Sequence, residues 1–218
     1  MIVEPLQMIV AAAFPNAKLP AGFTREQIAA AEARLGLVLP EVLKDFFTVA
    51  GGSRDLMGVN YRMLPPEKLR IDGEHLIFCA ENQGLQDYGM PIEELRKGTE
   101  DPNPTVRLRR KGASRWTVEA SELSAFLLGT TAWQAVLSLP EKARCEFPED
   151  DLPKLLAFFE PVGEPDVRLG GDMFALVNRQ RAVVAAYIHT SETLYVGSSD
   201  ETVLEELEEK LQLDFDSL

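Results

Sequence analysis

Apolar residues along this chain recur at two spacings, and the switch between them separates helical from extended stretches. Residues 2–13 are apolar enough for a helix, which Pro5 confines to starting there and which Pro15, Pro20 and Gly22 end. Thr24-Arg25-Glu26-Gln27 fits a capping box, in which hydroxyl and amide side chains satisfy the backbone groups that a first turn leaves unpaired. The helix it opens runs through Ile28, Ala31, Glu32 and Leu35, and Gly36 stops it by taking a positive φ. Pro40 suits the first turn of a second helix. There Val42, Phe46 and Val49, with Leu43, Phe47 and Ala50, fall three and four apart, until Gly51-Gly52 end the run. The pattern predicts an αα-hairpin against a sheet.

Beyond the hairpin the period shortens. Residues 59–64 read as a short strand ended by Pro65-Pro66, and 75–80 as a more buried one. A turn at Glu81-Asn82-Gln83-Gly84 leads to Gln86-Asp87-Tyr88-Gly89. Residues 98–104 form a loop, and 105–109 return as a strand whose basic residues point outward. Residues 119–137 offer a long amphipathic helix. The segment 138–151, with Pro140, Pro148 and Glu149-Asp150-Asp151, is either a linker or a connection crossing a sheet edge. Residues 172–177, 181–189 and 192–196 read as three antiparallel strands. Asp200 then caps a last helix that turns Val203, Leu204, Leu207 and Leu211 inward. Its Glu201, Glu205, Glu206, Glu208 and Glu209 face out. No internal repeat is visible. The fold class is α+β, with a core in residues 1–137, clearest over 24–137. Residues 138–218 extend that domain or form a small subdomain.

Composition narrows the function classes. At 45% hydrophobic and 26% charged, the chain of 218 residues has the makeup of a folded globular protein. No apolar run approaches the roughly 20 residues that cross a bilayer, and the first residues lack a basic signal-peptide start, so a cytoplasmic location is expected. Cys79 and Cys145 stand apart without metal-ligand spacing and read as reduced thiols. The 35 acidic against 22 basic residues give a formal charge of −13. Such a field repels phosphate backbones and attracts basic proteins, so direct nucleic-acid binding is not expected.

The stretch Ile28-Ala-Ala-Ala-Glu-Ala-Arg-Leu-Gly-Leu-Val-Leu-Pro40-Glu-Val-Leu-Lys-Asp-Phe-Phe-Thr-Val-Ala-Gly-Gly52 resembles the opening of the SUKH (SMI1/KNR4-like) family. A helix ending in Leu-Gly, a Leu-Pro, an aromatic pair and a Gly-Gly stop occur in register. Leu76 to Gly84, with Tyr88 following, is similar to the family's strand and Asn-Gln-Gly turn, and Asp101-Pro102-Asn103-Pro104 to its Asp-Pro-Pro stretch. The resemblance implies a mixed, mostly antiparallel sheet with helices on one side. It also implies a binding role, as an immunity protein that neutralises a toxin, often a nuclease, or as a signalling adaptor.

Chemistry-bearing motifs are sparse. His75 and His189 are the two available bases, each at the end of a strand-like run, with no nucleophile elbow, Walker loop or EF-hand spacing beside them. No cofactor or metal is expected, and Gly170-Gly171 reads as a turn. Asn82 and Gln83 either bond the turn backbone or join a recognition surface. Trp133 reads as core and Trp116 as an interface anchor. The partner-facing set is therefore Glu81, Asn82, Gln83, Asp87, Tyr88, Glu93, Glu94 and Trp116, its acids meeting a basic toxin around the Tyr88 anchor. Adaptor binding, homodimerisation and, last, a hydrolase built on paired acids are the rival readings.

Overall fold

The computed structural model describes residues 1–16, 19–97, 103–163 and 173–218. Helix α1 (Val3–Ala13) leads, and α2 (Arg25–Leu35) starts on the expected capping box. The Thr24 hydroxyl accepts the Gln27 N–H at 3.3 Å while the Gln27 side chain accepts the Thr24 N–H at 2.8 Å. Gly36 closes the helix at φ 64°. Helix α3 (Glu41–Val49) follows Pro40 and buries Val42, Leu43, Phe46 and Phe47.

Gly51 and Gly52 are not left-handed stops, since neither has a positive φ. They permit close approach instead. A methyl group at Gly52 would lie 2.3 Å from the Pro20 carbonyl oxygen, and one at Gly22 only 2.1 Å from that of Thr48. The incoming strand of chain thus rests against the end of α3, held by the Phe23 N–H to Phe47 oxygen bond of 3.0 Å.

After α4 (Arg54–Gly58) come strands β1 (Tyr61–Met63), β2 (Arg70–Asp72), β3 (His75–Glu81) and β4 (Gln86–Pro91). Helix α5 (Ile92–Arg96), β5 (Val106–Arg110) and β6 (Thr117–Ala120) follow. The sheet order is β1-β3-β4-β5-β6, with β2 also on β3, and every pairing is antiparallel. One face is aromatic: Phe126 lies 5.6 Å from Phe78 and 5.2 Å from Tyr88, ring centre to ring centre. Two expectations change here. Glu119 and Ala120 belong to β6, so helix α6 begins only at Leu123 and runs to Ser138. It is buried along nearly its whole length, without a polar stripe. Of the expected 98–104 loop, residues 98–102 lie outside the described residues, as do Gly170-Gly171 and Asp172.

The segment 138–151 is neither linker nor crossing. It forms β7 (Glu141–Glu146), where Ala143 and Cys145 are buried while Arg144 and Glu146 are exposed, followed by a short 3-10 turn. Then come α7 (Leu152–Phe158), β8 (Glu160–Pro161), β9 (Met173–Asn178), β10 (Val183–Ile188), β11 (Thr193–Ser198), α8 (Glu201–Leu211) and β12 (Asp216–Ser217). The expected meander and closing helix are present, and Asp200 caps α8 by accepting the Thr202 N–H at 3.0 Å. The second sheet runs β12-β7-β11-β10-β9-β8, again all antiparallel. Tyr187, Leu194, Val196, Leu155, Val203 and Leu207 share one core on this sheet. Across the sheet, Gly197 lets β11 approach α6, since a methyl there would lie 2.9 Å from the Val136 Cα.

The chain divides into two compact units, Met1–Val3 with Leu19–Leu127 and Glu4–Lys18 with Leu128–Leu218. The division falls inside α6, and α1 beyond Val3 belongs to the second unit. No helix among the described residues is long and apolar enough to cross a membrane.

Candidate functional site

Antiparallel ladders decide which side chains of the first unit share its polar sheet face. Asp72 pairs with His75, Arg70 with Ile77, Ile77 with Gly89, Gly89 with Arg107, and Asp87 with Arg109. Cross-strand partners point the same way. The face therefore gathers Arg70, Asp72, His75, Asp87, Arg107 and Arg109 from four strands.

Trp116, just before β6, organises this face. The His75 ring stacks on it at 4.2 Å with 15° between planes, and the Arg109 guanidinium lies 4.7 Å from its centre. Arg109 donates to both Asp72 and Asp87, the latter at 3.1 Å, and Asp87 also accepts from Arg70 at 2.9 Å. The Arg109 bond holds the Asp72 carboxyl below its usual range and raises the guanidinium's own. Burial, followed by the Arg107 charge, pushes the His75 imidazole down, so it is neutral at pH 7. Among the described residues its Nε2 is buried without a hydrogen-bond partner, as is the Arg107 Nε. A cleft of about 600 Å³ opens beside this pair, lined also by Pro91, Ile92, Arg96 and Lys97.

The residues expected to face a partner scatter between structural roles and solvent. Tyr88 is 3% exposed, and its hydroxyl donates to Gln86 at 2.8 Å. The anchor role is corrected accordingly: Tyr88 occupies the middle of β4 on the aromatic face, packed against Phe126 and away from the surface. Asp87 is committed to two arginines. Glu94 accepts from the Thr105 N–H at 2.8 Å and the Thr105 hydroxyl at 2.9 Å, and Glu81 accepts the Leu85 N–H at 3.2 Å. Asn82 bonds backbone, donating to the Val59 oxygen at 3.2 Å, while Gly84 supplies φ 70° in the turn. Gln83 and Glu93 are exposed, and Trp116 is half-buried in the stack. Arg70, Asp72, Arg107 and Arg109 went unnoticed as a group, although Arg107-x-Arg109 alternates as a strand must to place both on one face.

Charge is divided unevenly between the units. The first holds 14 basic and 16 acidic residues, a net −2, and the second 8 and 19, a net −11. Much of the second unit's excess lies on α8. Glu206 is tied to Arg181 and Lys210, and Glu208 accepts the Phe215 N–H at 2.9 Å. Glu201, Glu205 and Glu209, four apart and so on one helix face, are exposed and form no ion pair among the described residues. His189 lies 3.5 Å from Glu149 and 5.0 Å from both Phe174 and Tyr187. Among the described residues no cluster of three His, Cys, Asp or Glu side chains could hold a metal ion. Comparison of the chain with the known protein families, with curated proteins and with solved structures finds no match.

Proposed function

We propose that this chain is a non-enzymatic protein-binding module of the immunity type, resembling the SUKH family, which sequesters a basic, nuclease-like toxin. The observation that carries this reading is the segregation of charge: the second unit bears −11, with an acidic stripe along α8 that forms no ion pair among the described residues. A nuclease presents a basic surface to polyphosphate, so an acidic surface both steers toward it and competes with its substrate. The acids first assigned this task, Asp87 and Glu94, are spent on internal bonds, and the reading shifts to Glu201, Glu205 and Glu209. The same charge disfavours self-association through α8, because like charges would face each other.

The test is to capture the partner from its native host's lysate at low salt and measure association with the purified pair. The rate should fall roughly tenfold between low and high salt. It should fall several-fold at low salt in the E201Q/E205Q/E209Q variant, whose Tm should stay within a few degrees of wild type. A rate indifferent to salt and to these substitutions would sink the reading. So would a captured partner with an acidic surface.

A further inference from the structure

The cleft of the first unit is built around charge it does not satisfy. Its buried lining consists of His75, Pro91 and Ile92, and Arg107 is half-buried beside them. At the exposed rim, Glu74 and Glu93 offset Arg96 and Lys97, which leaves Arg107 as the one charge of the lining without a counterpart in it. The carboxylate that reaches it among the described residues, Glu94, forms only a long ion pair at 4.0 Å, with both oxygens engaged by Thr105. A guanidinium is made for bidentate pairing with a planar oxyanion, and a buried unpaired nitrogen costs roughly 1–3 kcal/mol. Two such nitrogens, the Arg107 Nε and the His75 Nε2, occur together here.

We infer that this cleft binds a carboxylate group, with Arg107 as its charged partner and the His75 imidazole, held by Trp116, as a hydrogen-bond donor. A monoanion matches the single positive charge left over among the lining side chains. A phosphate dianion would face Glu74 and Glu93 with charge left over. Ile71, Pro91 and Ile92 supply apolar surface for the carbon skeleton that carries the carboxylate. Two sources share this chemistry: a small free carboxylic acid, or a glutamate or aspartate side chain of a protein. The inference is independent of the acidic helix, which lies in the other unit and calls for a ligand of opposite sign.

Trp116 makes the binding measurable. Its stack with His75 lines up the fluorophore with the cleft, and Trp133, in the other unit, is removed by W133F so that Trp116 alone reports. The probes are sodium propionate, a monoanion, and a blocked peptide whose sole ionisable group is one glutamate. A saturable change in Trp116 emission is expected with at least one of them. Saturation by propionate identifies a small-molecule site, and saturation by the peptide alone identifies a protein side chain as the source. In R107Q the apparent affinity should fall at least tenfold, and R107K should recover part of the loss because it restores charge but not the fork. Inorganic phosphate should bind more weakly than either carboxylate that saturates. No saturable change with either probe at tens of millimolar would overturn the inference. An unchanged response in a folded R107Q protein would do the same.

Discussion

Gly22 is where packing makes its sharpest demand on a single residue, and Gly22→Ala turns that demand into a measurable loss. The added methyl would lie 2.1 Å from the Thr48 oxygen and 2.4 Å from the Phe47 oxygen, roughly 1 Å or more inside ordinary contact. Neither oxygen can rotate away, because both belong to the last turn of α3. The incoming chain must lift instead, which strains or breaks the Phe23 N–H to Phe47 oxygen bond and separates the Phe23 and Phe47 rings, now edge-on at 5.7 Å. Overpacking costs about 1–3 kcal/mol and the hydrogen bond about 0.5–1.5 kcal/mol. The less flexible unfolded chain returns about 0.4–1 kcal/mol. The net is a loss of about 2–3 kcal/mol, or roughly 5–10 °C in Tm for a chain of this size. Thermal unfolding followed by circular dichroism reads it directly. Two further glycines calibrate the result. Gly58 has open space and no positive φ, so Gly58→Ala should be neutral or stabilise by up to about 1 kcal/mol. Gly36 has open space but φ 64°, so Gly36→Ala should cost about 1–2 kcal/mol through backbone strain alone. A Gly22→Ala protein as stable as wild type, or more so, would refute the close-approach reasoning.

Two other outcomes follow from the first unit. Asp87→Asn deprives Arg70 and Arg109 of a shared carboxylate, and it should lower stability by about 1 kcal/mol, since these groups are partly exposed. In a double-mutant cycle with Arg109→Gln the losses should be less than additive; strict additivity would show that the pair does not brace the face. Glu119 is half-buried, and burial raises its carboxyl above the usual range. An acid whose folded value is raised contributes stability below its unfolded pKa of about 4.3 and loses it as pH climbs through the folded value. Glu119→Gln should therefore gain stability over wild type at pH 7 and show no gain at pH 3; equal differences at both pH values would contradict this.

The elements that a sequence displays best are those whose signals are local. The capping box at Thr24, the Gly36 stop and the Asp200 cap each act within a few residues, and all occur where the pattern places them. β7 escaped because Pro140 and Pro148 bracket it, and they outweighed the alternation of Ala143, Cys145 and Phe147 that marks one buried face. The amphipathic reading of α6 failed for another reason: burial on every side leaves no polar stripe for a 3.6-residue period to reveal. The candidate site was least visible of all. Asp72, His75, Asp87 and Arg109 come from four strands and meet only through register, which the bulge between Ile77 and Cys79 shifts by one residue. Tyr88 looked exposed because Asp87 and Gly89 flank it, whereas in a strand those neighbours point to the opposite face.

The membership of α1 in the second unit has a consequence during synthesis. Leu6, Ile9, Ala12 and Ala13 are buried in the finished protein, yet the strands of their unit begin only at Glu141 and its last helix ends at Leu211. At ribosomal rates of about 5–20 residues per second, that apolar helix waits on the order of 10–40 s for its unit to be complete. Through that interval it is the part of the nascent chain that most needs a chaperone, while the unit between its two halves is already free to fold.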